Sequence, residues 1–201
     1  AALRDVGTLS VLDVKRGDIG STMAGYAQAY LSDGAPLAAD SITVSPYLGY
    51  GSLSPALDLA EASGRGVFVL ALTSNPEGAA VQHAVNGEQA VAAGVVEGVT
   101  ASNATASGEG RLGSVGLVVG ATVGEAVSRL GIDLLRANGP LLAPGIGAQG
   151  AGPAELESVF GSARRHVLAS TSRGVLKAGP SIEALRTAAL AATHEAAAAL
   201  R

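Results

Sequence analysis

The chain has no cysteine, no tryptophan and a single methionine among its 201 residues. Without cysteine, disulfides, thiolate metal sites and cysteine nucleophiles are excluded, and the composition fits a reducing compartment. Aromatic residues make up only 3% of the chain, which leaves few platforms for stacking on nucleic-acid bases. Charged residues account for 15% and the formal net charge is -4, so there is no broad basic surface for nucleic acid or an anionic membrane.

The sequence also has no long apolar run and no leader pattern. None of its hydrophobic stretches approaches the roughly 18 to 20 residues of a membrane-spanning helix. The N-terminus lacks the basic, apolar and small-residue order of a signal peptide. Hydrophobic residues nevertheless make up 48% of the chain, enough for one domain with a substantial core. We therefore expect a soluble cytoplasmic protein that folds as a single domain over residues 1–201.

Short β-branched segments alternate with longer segments rich in Ala and Leu. This pattern predicts strands at Thr8–Asp13, Ser41–Ser45, Gly66–Thr73, Ser114–Gly120, Leu141–Ala143 and His166–Ala169. It predicts helices at Ser21–Leu31, Ser52–Ala62, within Ala84–Ala104, and at Val123–Arg136, Pro153–Phe160 and Ser181–Leu200. Alternating strand–helix units indicate an α/β fold with a parallel sheet and right-handed crossovers.

Two architectures fit these units, an open doubly wound sheet and a (β/α)8 TIM barrel. Polar residues follow nearly every predicted strand, among them Asp13, Lys15, Ser45, Ser74 and Arg173. This favours the barrel, because barrel enzymes take their catalytic residues from the carboxyl ends of the strands. A closed barrel has eight units, so the barrel interpretation predicts that this chain supplies about six of them.

A charged cluster, Asp13-Val14-Lys15-Arg16-Gly17-Asp18, ends the first predicted strand. Asp13 and Lys15 share one side of an extended strand, so both can point into one pocket. Two carboxylates near one ammonium perturb each other's protonation, as in many catalytic sites. The alternative is an exposed ion pair in a turn, worth about 0–1 kcal/mol, with Asp18 acting only as a helix cap.

Two loops after the last two predicted strands have the composition of phosphate-binding sites. The segment 144–150 contains Gly147 and Gln149, and its backbone amides could cradle an anion. The segment 172–174 offers Ser172 and the cationic fork of Arg173. Barrels often bind phosphate with the loops after their last two strands. The simpler alternative for each loop is a flexible turn.

The segment Thr73-Ser74-Asn75-Pro76-Glu77-Gly78 closes the most apolar strand. Its Pro and Gly residues are typical of a turn. As part of a site, it would offer the Ser74 hydroxyl and backbone amides to a heterocycle. The three histidines of the chain show no metal-ligand spacing, so we predict no metal site.

Together these segments resemble the orotidine 5'-monophosphate decarboxylase family, most closely its bacterial members with an Asp-x-Lys-Arg-Gly-Asp-Ile core. The matching stretches are Asp13–Thr22, Ser45–Gly49, Leu72–Gly78 and Ala143–Gly150. Magnesium-dependent relatives that act on sugar phosphates share the Asp-x-Lys-x-x-Asp core, whereas Thr73–Gly78 is far more specific. The resemblance implies a barrel that decarboxylates orotidine 5'-monophosphate to uridine 5'-monophosphate in pyrimidine biosynthesis, without metal or organic cofactor.

The resemblance implies catalytic roles for the charged cluster. Lys15 would protonate C6 of the pyrimidine as carbon dioxide leaves, and Asp13 would sit beside the scissile carboxylate and hold Lys15. Asp18, Ile19 and Thr22 would reach into the active site of the neighbouring subunit, so the enzyme would be a homodimer with a shared active site.

It also implies contacts to the rest of the nucleotide substrate. Ser74 would contact the pyrimidine edge, and Gln149 and Arg173 would hold the 5'-phosphate. Gly147 and Ser172 would belong to the phosphate loops. The expected partners are this small molecule and a second subunit, with no nucleic acid and no membrane.

One departure from the family concerns the start of the chain. The family carries an Asp on its first strand and a Lys on its second, both upstream of the core, and only seven residues precede Thr8 here. We therefore expect the first two strand–helix units to lie outside these 201 residues. Two alternatives stay open: a magnesium-dependent sugar-phosphate decarboxylase or aldolase on the same barrel, and an inactive truncated binder of phosphate ligands.

Overall fold

The computed structural model describes residues 2–146 and 151–200, apart from the side chains of Ala2 and Pro153. Its strands are β1 (Val11–Arg16), β2 (Ser41–Val44), β3 (Gly66–Leu72), β4 (Val85–Asn86), β5 (Gln89–Ala90), β6 (Val115–Val119), β7 (Leu141–Pro144) and β8 (Val167–Ser170). Its α-helices are α1 (Ala2–Asp5), α2 (Gly20–Leu31), α3 (Ser54–Ala62), α4 (Ala79–Gln82), α5 (Val91–Ser102), α6 (Ala104–Gly108), α7 (Ala126–Arg129), α8 (Pro153–Phe160), α9 (Arg173–Leu176) and α10 (Ile182–Ala199). Short 3-10 helices lie at Tyr50–Leu53, Pro76–Gly78 and Gly161–His166.

Within the described residues, six strands form one sheet in the order β1-β2-β3-β6-β7-β8. The pairing is parallel where β2 meets β3 and where β7 meets β8. The strands β4 and β5 form a separate antiparallel hairpin. Because the sheet order follows the chain order, as in a (β/α)8 barrel, the predicted α/β fold with six barrel units is confirmed.

The middle of this sheet is apolar on both faces. Every residue of β2 and β6 is buried, and β3 is nearly as enclosed. This is the pattern of parallel strands covered by helices on both sides. The edge strand β1 instead alternates between exposed and half-buried residues, because one side of it has no strand partner among the described residues.

Contacts between residues divide the chain into two compact units. The first comprises Ala1–Leu70, Glu97–Leu117 and Ala137–Pro140, and the second comprises Ala71–Val96, Val118–Arg136 and Leu141–Arg201. Met23 and Ile42 are fully buried in the first unit, and Leu141 and Leu156 are fully buried in the second. The prediction of one domain over residues 1–201 stays a prediction. No helix in the described part of the chain is long and apolar enough to cross a membrane.

A buried side-chain amide joins three segments of the first unit by hydrogen bonds. Asn103, which is 2% exposed, donates from Nδ2 to the carbonyl oxygens of Val115 at 2.7 Å and Ala137 at 2.8 Å. Its Oδ1 accepts the Val115 N–H at 3.2 Å. Gly113 and Gly139 make room for this amide, because a Cβ atom on either glycine would strike Asn103. The amide is therefore buried without an unpaired polar atom.

The predicted extent of one helix is wrong. Helix α7 covers only one turn of the predicted helix Val123–Arg136. Gly124 and Gly131 bracket it with φ angles of 59° and 65°, in the left-handed region that ends a right-handed helix. The helix predicted within Ala84–Ala104 is present as α5, which begins after the hairpin β4–β5. The helix Pro153–Phe160 is present with the predicted ends, and the other predicted strands and helices are present with one or both ends shifted.

Candidate active site

The predicted catalytic pair lies on a bulge in β1. Leu12 pairs with Ile42 and Arg16 pairs with Val44, so β1 advances four positions while β2 advances two. Lys15 has a φ angle of 46°, in the left-handed region that residues other than glycine rarely adopt. A bulge of this kind interrupts the regular ladder of backbone hydrogen bonds and changes the direction of the side chains on it. The segment from Asp13 to Lys15 is therefore displaced at the carboxyl end of β1.

Thr43 on β2 holds both members of this pair. Lys15 Nζ forms an ion pair with Asp13 Oδ2. Thr43 Oγ1 donates to Asp13 Oδ1 at 2.7 Å and accepts the backbone N–H of Lys15 at 2.9 Å. Thr43 is fully buried, so its hydroxyl is fixed by the sheet. The side chains of Asp13 and Lys15 are 58% and 53% exposed, which leaves the pair open to a ligand.

The hydrogen bonds of this cluster keep Asp13 ionised. Partial burial raises the pKa of Asp13, but hydrogen bonds from Lys15 and Thr43 and the charge of Lys15 outweigh it and leave the pKa below 3.8. In an isolated surface ion pair, Asp13 would have only its contact with Lys15. The additional bonds from Thr43 make the cluster a fixed arrangement in which a carboxylate orients an ammonium.

Asp18 is engaged just before the next helix. Its Oδ1 accepts the backbone N–H of Ile19 at 2.8 Å. Ile19 is the N-cap residue of α2 and the helix has no side-chain cap, so the alternative in which Asp18 caps the helix is wrong. Ile19 is 62% exposed and Thr22 is exposed as well. Within the described part of the chain, Asp18 forms no ion pair with Lys15, so the structure does not bring Asp18 into the cluster.

Ser74 lies in the turn after β3, between Thr73 and Asn75, whose side chains are both hydrogen-bonded. The backbone N–H of Thr73 donates to Gln82 Oε1 at 2.9 Å, and Gln82 Nε2 donates to Thr73 Oγ1 at 2.7 Å. Thr73 Oγ1 donates in turn to Asn75 Oδ1 at 2.7 Å. Gly120 packs closely behind the turn, because a Cβ atom there would lie 3.1 Å from the Ser74 nitrogen. The side chain of Ser74 itself is exposed.

The predicted phosphate residues are only partly described. Ser172 immediately precedes α9, and its carbonyl oxygen accepts the N–H groups of that helix. Arg173 begins α9 and is exposed, with no ion pair or hydrogen bond from its guanidinium to residues 2–146 or 151–200. Gly147 and Gln149 lie outside the described residues. The predicted phosphate contacts therefore stay predictions.

The candidate residues fall in both units. Asp13, Lys15, Asp18, Ile19 and Thr22 belong to the first, and Ser74, Ser172 and Arg173 to the second. In the described part of the chain, no group of three or more His, Cys, Asp or Glu side chains is placed to hold a metal ion.

Two residues that shape the site, Thr43 and Gln82, were not predicted from the sequence. The sequence does contain a signal for Thr43, because a polar residue inside an apolar strand needs a hydrogen-bond partner once it is buried. It contains no such signal for Gln82, because the partner Thr73 lies nine residues away across a turn whose geometry the sequence does not specify. Both residues position others without being exposed ligand-binding groups themselves.

Comparison with known proteins gives consistent matches. The model of the family described as Orotidine 5'-phosphate decarboxylase / HUMPS family matches residues 1–188. A relative from Streptomyces coelicolor, named orotidine 5'-phosphate decarboxylase, is 61% identical over 188 residues, covering 92% of this chain and 65% of the relative. A relative of the same name from Salinispora arenicola is 60% identical over 188 residues, covering 93% of this chain and 65% of the relative.

A solved structure is similar as well. The crystal structure of a protein from Streptomyces avermitilis, provisionally named orotidine 5'-phosphate decarboxylase, has a TM-score of 0.90 and 58% identity. The match covers 98% of this chain and 67% of that one. The chain thus spans 65% of the length of the two curated relatives described above.

Proposed function

The chain belongs to the orotidine 5'-phosphate decarboxylase / HUMPS family, and we propose that the protein decarboxylates orotidine 5'-monophosphate to uridine 5'-monophosphate. The observation that carries the proposal is the cluster of Asp13, Lys15 and Thr43, in which an ammonium is oriented at the carboxyl end of a parallel strand. Barrel enzymes place their catalytic groups at that end of the strands. The close relatives named as decarboxylases support the choice of substrate.

The reaction needs the group that this cluster supplies. Decarboxylation breaks the bond from C6 to the carboxylate carbon and leaves its electron pair on C6 as carbon dioxide departs. C6 has no adjacent electron sink, so a fixed cation beside it is an effective stabiliser of the developing charge. The Lys15 ammonium would then transfer a proton to C6 and regain one from solvent. Asp13, ionised and bonded to Lys15, would hold that ammonium in place.

Other residues would bind the parts of the nucleotide that do not react. We assign Ser74 to the pyrimidine edge, and Gln149 and Arg173, with Gly147 and Ser172, to the 5'-phosphate. Phosphate contacts remote from C6 can position the ring and so contribute to the rate. The exposure of Ser74 and Arg173 is compatible with these roles.

The proposal includes a cytoplasmic homodimer, in which Asp18, Ile19 and Thr22 extend to the partner subunit. Ile19, Tyr47 and Leu48 are 62%, 78% and 52% exposed. They follow the carboxyl ends of β1 and β2. Their exposure is compatible with a protein interface at this end of the strands. The absence of cysteine favours a reducing compartment.

Adding orotidine 5'-monophosphate to the intact gene product and following the ultraviolet absorbance of the pyrimidine tests the proposal. We expect turnover that persists in the presence of a chelator. If the protein does not convert this substrate but decarboxylates or cleaves a sugar phosphate only when Mg²⁺ is present, the magnesium-dependent alternative is favoured. If the protein binds uridine 5'-monophosphate in a calorimeter but converts no substrate, it is a non-catalytic binder and the proposal is wrong.

A further inference from the structure

A directed series of hydrogen bonds runs through the turn after β3. It starts at the backbone N–H of Thr73, which can only donate and which points at Gln82 Oε1 at 2.9 Å. This contact fixes which end of the Gln82 amide is the oxygen. The other end must then be Nε2, and it donates to Thr73 Oγ1 at 2.7 Å. The Gln82 amide therefore binds both the backbone and the side chain of Thr73.

The direction of each later bond follows from the one before it. Because the Thr73 hydroxyl accepts from Gln82, its own proton is free to go to Asn75 Oδ1, 2.7 Å away. The Asn75 amide then presents Nδ2 to Glu77 Oε2 at 3.0 Å. A carboxylate can only accept, so the series ends at Glu77. The hydrogen bond from Asn75 and a backbone hydrogen bond keep the pKa of Glu77 below its ordinary value, which maintains this acceptor.

Ser74 stands between the two anchored residues, Thr73 and Asn75. The space for the Gln82 amide depends on Gly78, where a Cβ atom would lie 2.7 Å from Thr73 Oγ1 and 3.1 Å from Gln82 Nε2. Ser74 itself is exposed, so its orientation comes from its neighbours rather than from burial. Gln82 is half-buried, and both ends of its amide are bound to Thr73.

We infer that Gln82 is a positioning residue for the pyrimidine site, acting through Thr73 to fix the turn that presents Ser74. The inference rests on the proposed function, which assigns Ser74 to the pyrimidine edge. A glutamate at position 82 would keep the acceptor for the Thr73 N–H but lose the donor to Thr73 Oγ1, and the series would lose its direction. A leucine would remove both contacts.

The test compares Gln82→Leu and Gln82→Glu with wild type and with a matched control, Gln28→Leu, on an exposed face of α2. Amide hydrogen exchange of residues 73–78 is measured without substrate, and kcat and KM for orotidine 5'-monophosphate are measured on the intact gene product. We expect exchange in this segment to rise at least about tenfold in Gln82→Leu, with a smaller rise in Gln82→Glu. We expect kcat/KM to fall about ten- to a hundredfold in Gln82→Leu, as for other misplaced substrate contacts. The control should match wild type.

A double-mutant cycle with Thr73→Val separates positioning from a merely structural role. If Gln82 acts through Thr73, the effects of Gln82→Leu and Thr73→Val on kcat/KM will be strongly non-additive. Additive effects, or unchanged exchange at residues 73–78, would overturn the inference. If wild type does not turn over this substrate, the proposed function fails, but the exchange measurement still decides whether Gln82 fixes the turn. If Gln82→Leu does not fold, amide exchange in the isosteric Gln82→Glu variant decides whether Gln82 fixes the turn.

Discussion

Thr43→Val removes one hydroxyl from the buried face of β2 and leaves the side-chain shape nearly unchanged. In the folded protein that hydroxyl donates to Asp13 at 2.7 Å and accepts the Lys15 N–H at 2.9 Å. A hydrogen bond to a charged group contributes about 1.5–3 kcal/mol and a neutral one about 0.5–1.5 kcal/mol. The Asp13 side chain is 58% exposed, so water can replace part of the first contribution. We therefore expect the free energy of unfolding at pH 7 to fall by about 1–3 kcal/mol.

The same substitution has a defined pH dependence. The pKa of Asp13 lies below 3.8 in the folded state, so Asp13 stabilises the fold above that pH, and the stabilisation is lost as pH falls through the folded pKa. Thr43→Val removes one bond that lowers this pKa, so the pKa should rise and the stability difference from wild type should shrink in acid. Urea unfolding at pH 7 and pH 3, with Asp13 titrated by NMR, measures both.

Thr43→Ser is the matched control, because it keeps the hydroxyl and loses only a methyl group. Its loss of stability should show little dependence on pH, and the pKa of Asp13 should stay low. The reasoning is refuted if Thr43→Val is as stable as wild type at pH 7 or leaves the Asp13 pKa unchanged.

Three further predictions concern stability. Hydrogen bonds from Ser10 are the main cause of the Asp40 pKa of about 2. Asp40→Asn should therefore have a lower free energy of unfolding than wild type at pH 7, measured in urea. This difference in free energy should shrink as pH falls from 3.8 towards 2. A difference that does not change with pH would contradict the prediction. Asn103→Asp would place a carboxylate oxygen beside two backbone carbonyl oxygens, so the free energy of unfolding at pH 7 should fall by at least about 3 kcal/mol. Thermal unfolding measures this loss, and a melting temperature equal to that of wild type would contradict it. Gly98→Ala would place a Cβ atom 2.6 Å from the Tyr50 ring. The overpacking should cost about 1–3 kcal/mol, more than the gain of about 1 kcal/mol in helix propensity, so the variant should be less stable than wild type in thermal unfolding. A more stable variant would show that the ring moves aside.

The parallel sheet was predictable because its signal is local. The β-branched, apolar composition of segments such as Gly66–Thr73 identifies buried strands without knowledge of their partners. The helix at Val123–Arg136 was predicted too long for the opposite reason. Its apolar residues continue, but Gly124 and Gly131 take left-handed φ angles, and a glycine in sequence does not reveal which φ region it will occupy.

The candidate site was predictable in residue type but not in geometry. The charge pattern identified Asp13 and Lys15 as a pair, whereas the bulge that displaces them exists only because β1 and β2 pair with different spacing. Thr43 gains its role from the same pairing, across 28 to 30 positions of the chain. Long-range register of this kind depends on tertiary packing rather than on local propensity.

The central claim is that the Lys15 ammonium, held by Asp13, which Thr43 binds in turn, protonates C6 during decarboxylation. The most direct test is kcat for orotidine 5'-monophosphate in the Lys15→Ala variant of the intact gene product. Removing a general acid typically lowers the rate by about 10² to 10⁴. We predict that kcat falls at least about a hundredfold, while the affinity for uridine 5'-monophosphate, which has no scissile carboxylate, changes far less. A Lys15→Ala variant with kcat within about tenfold of wild type would contradict the account.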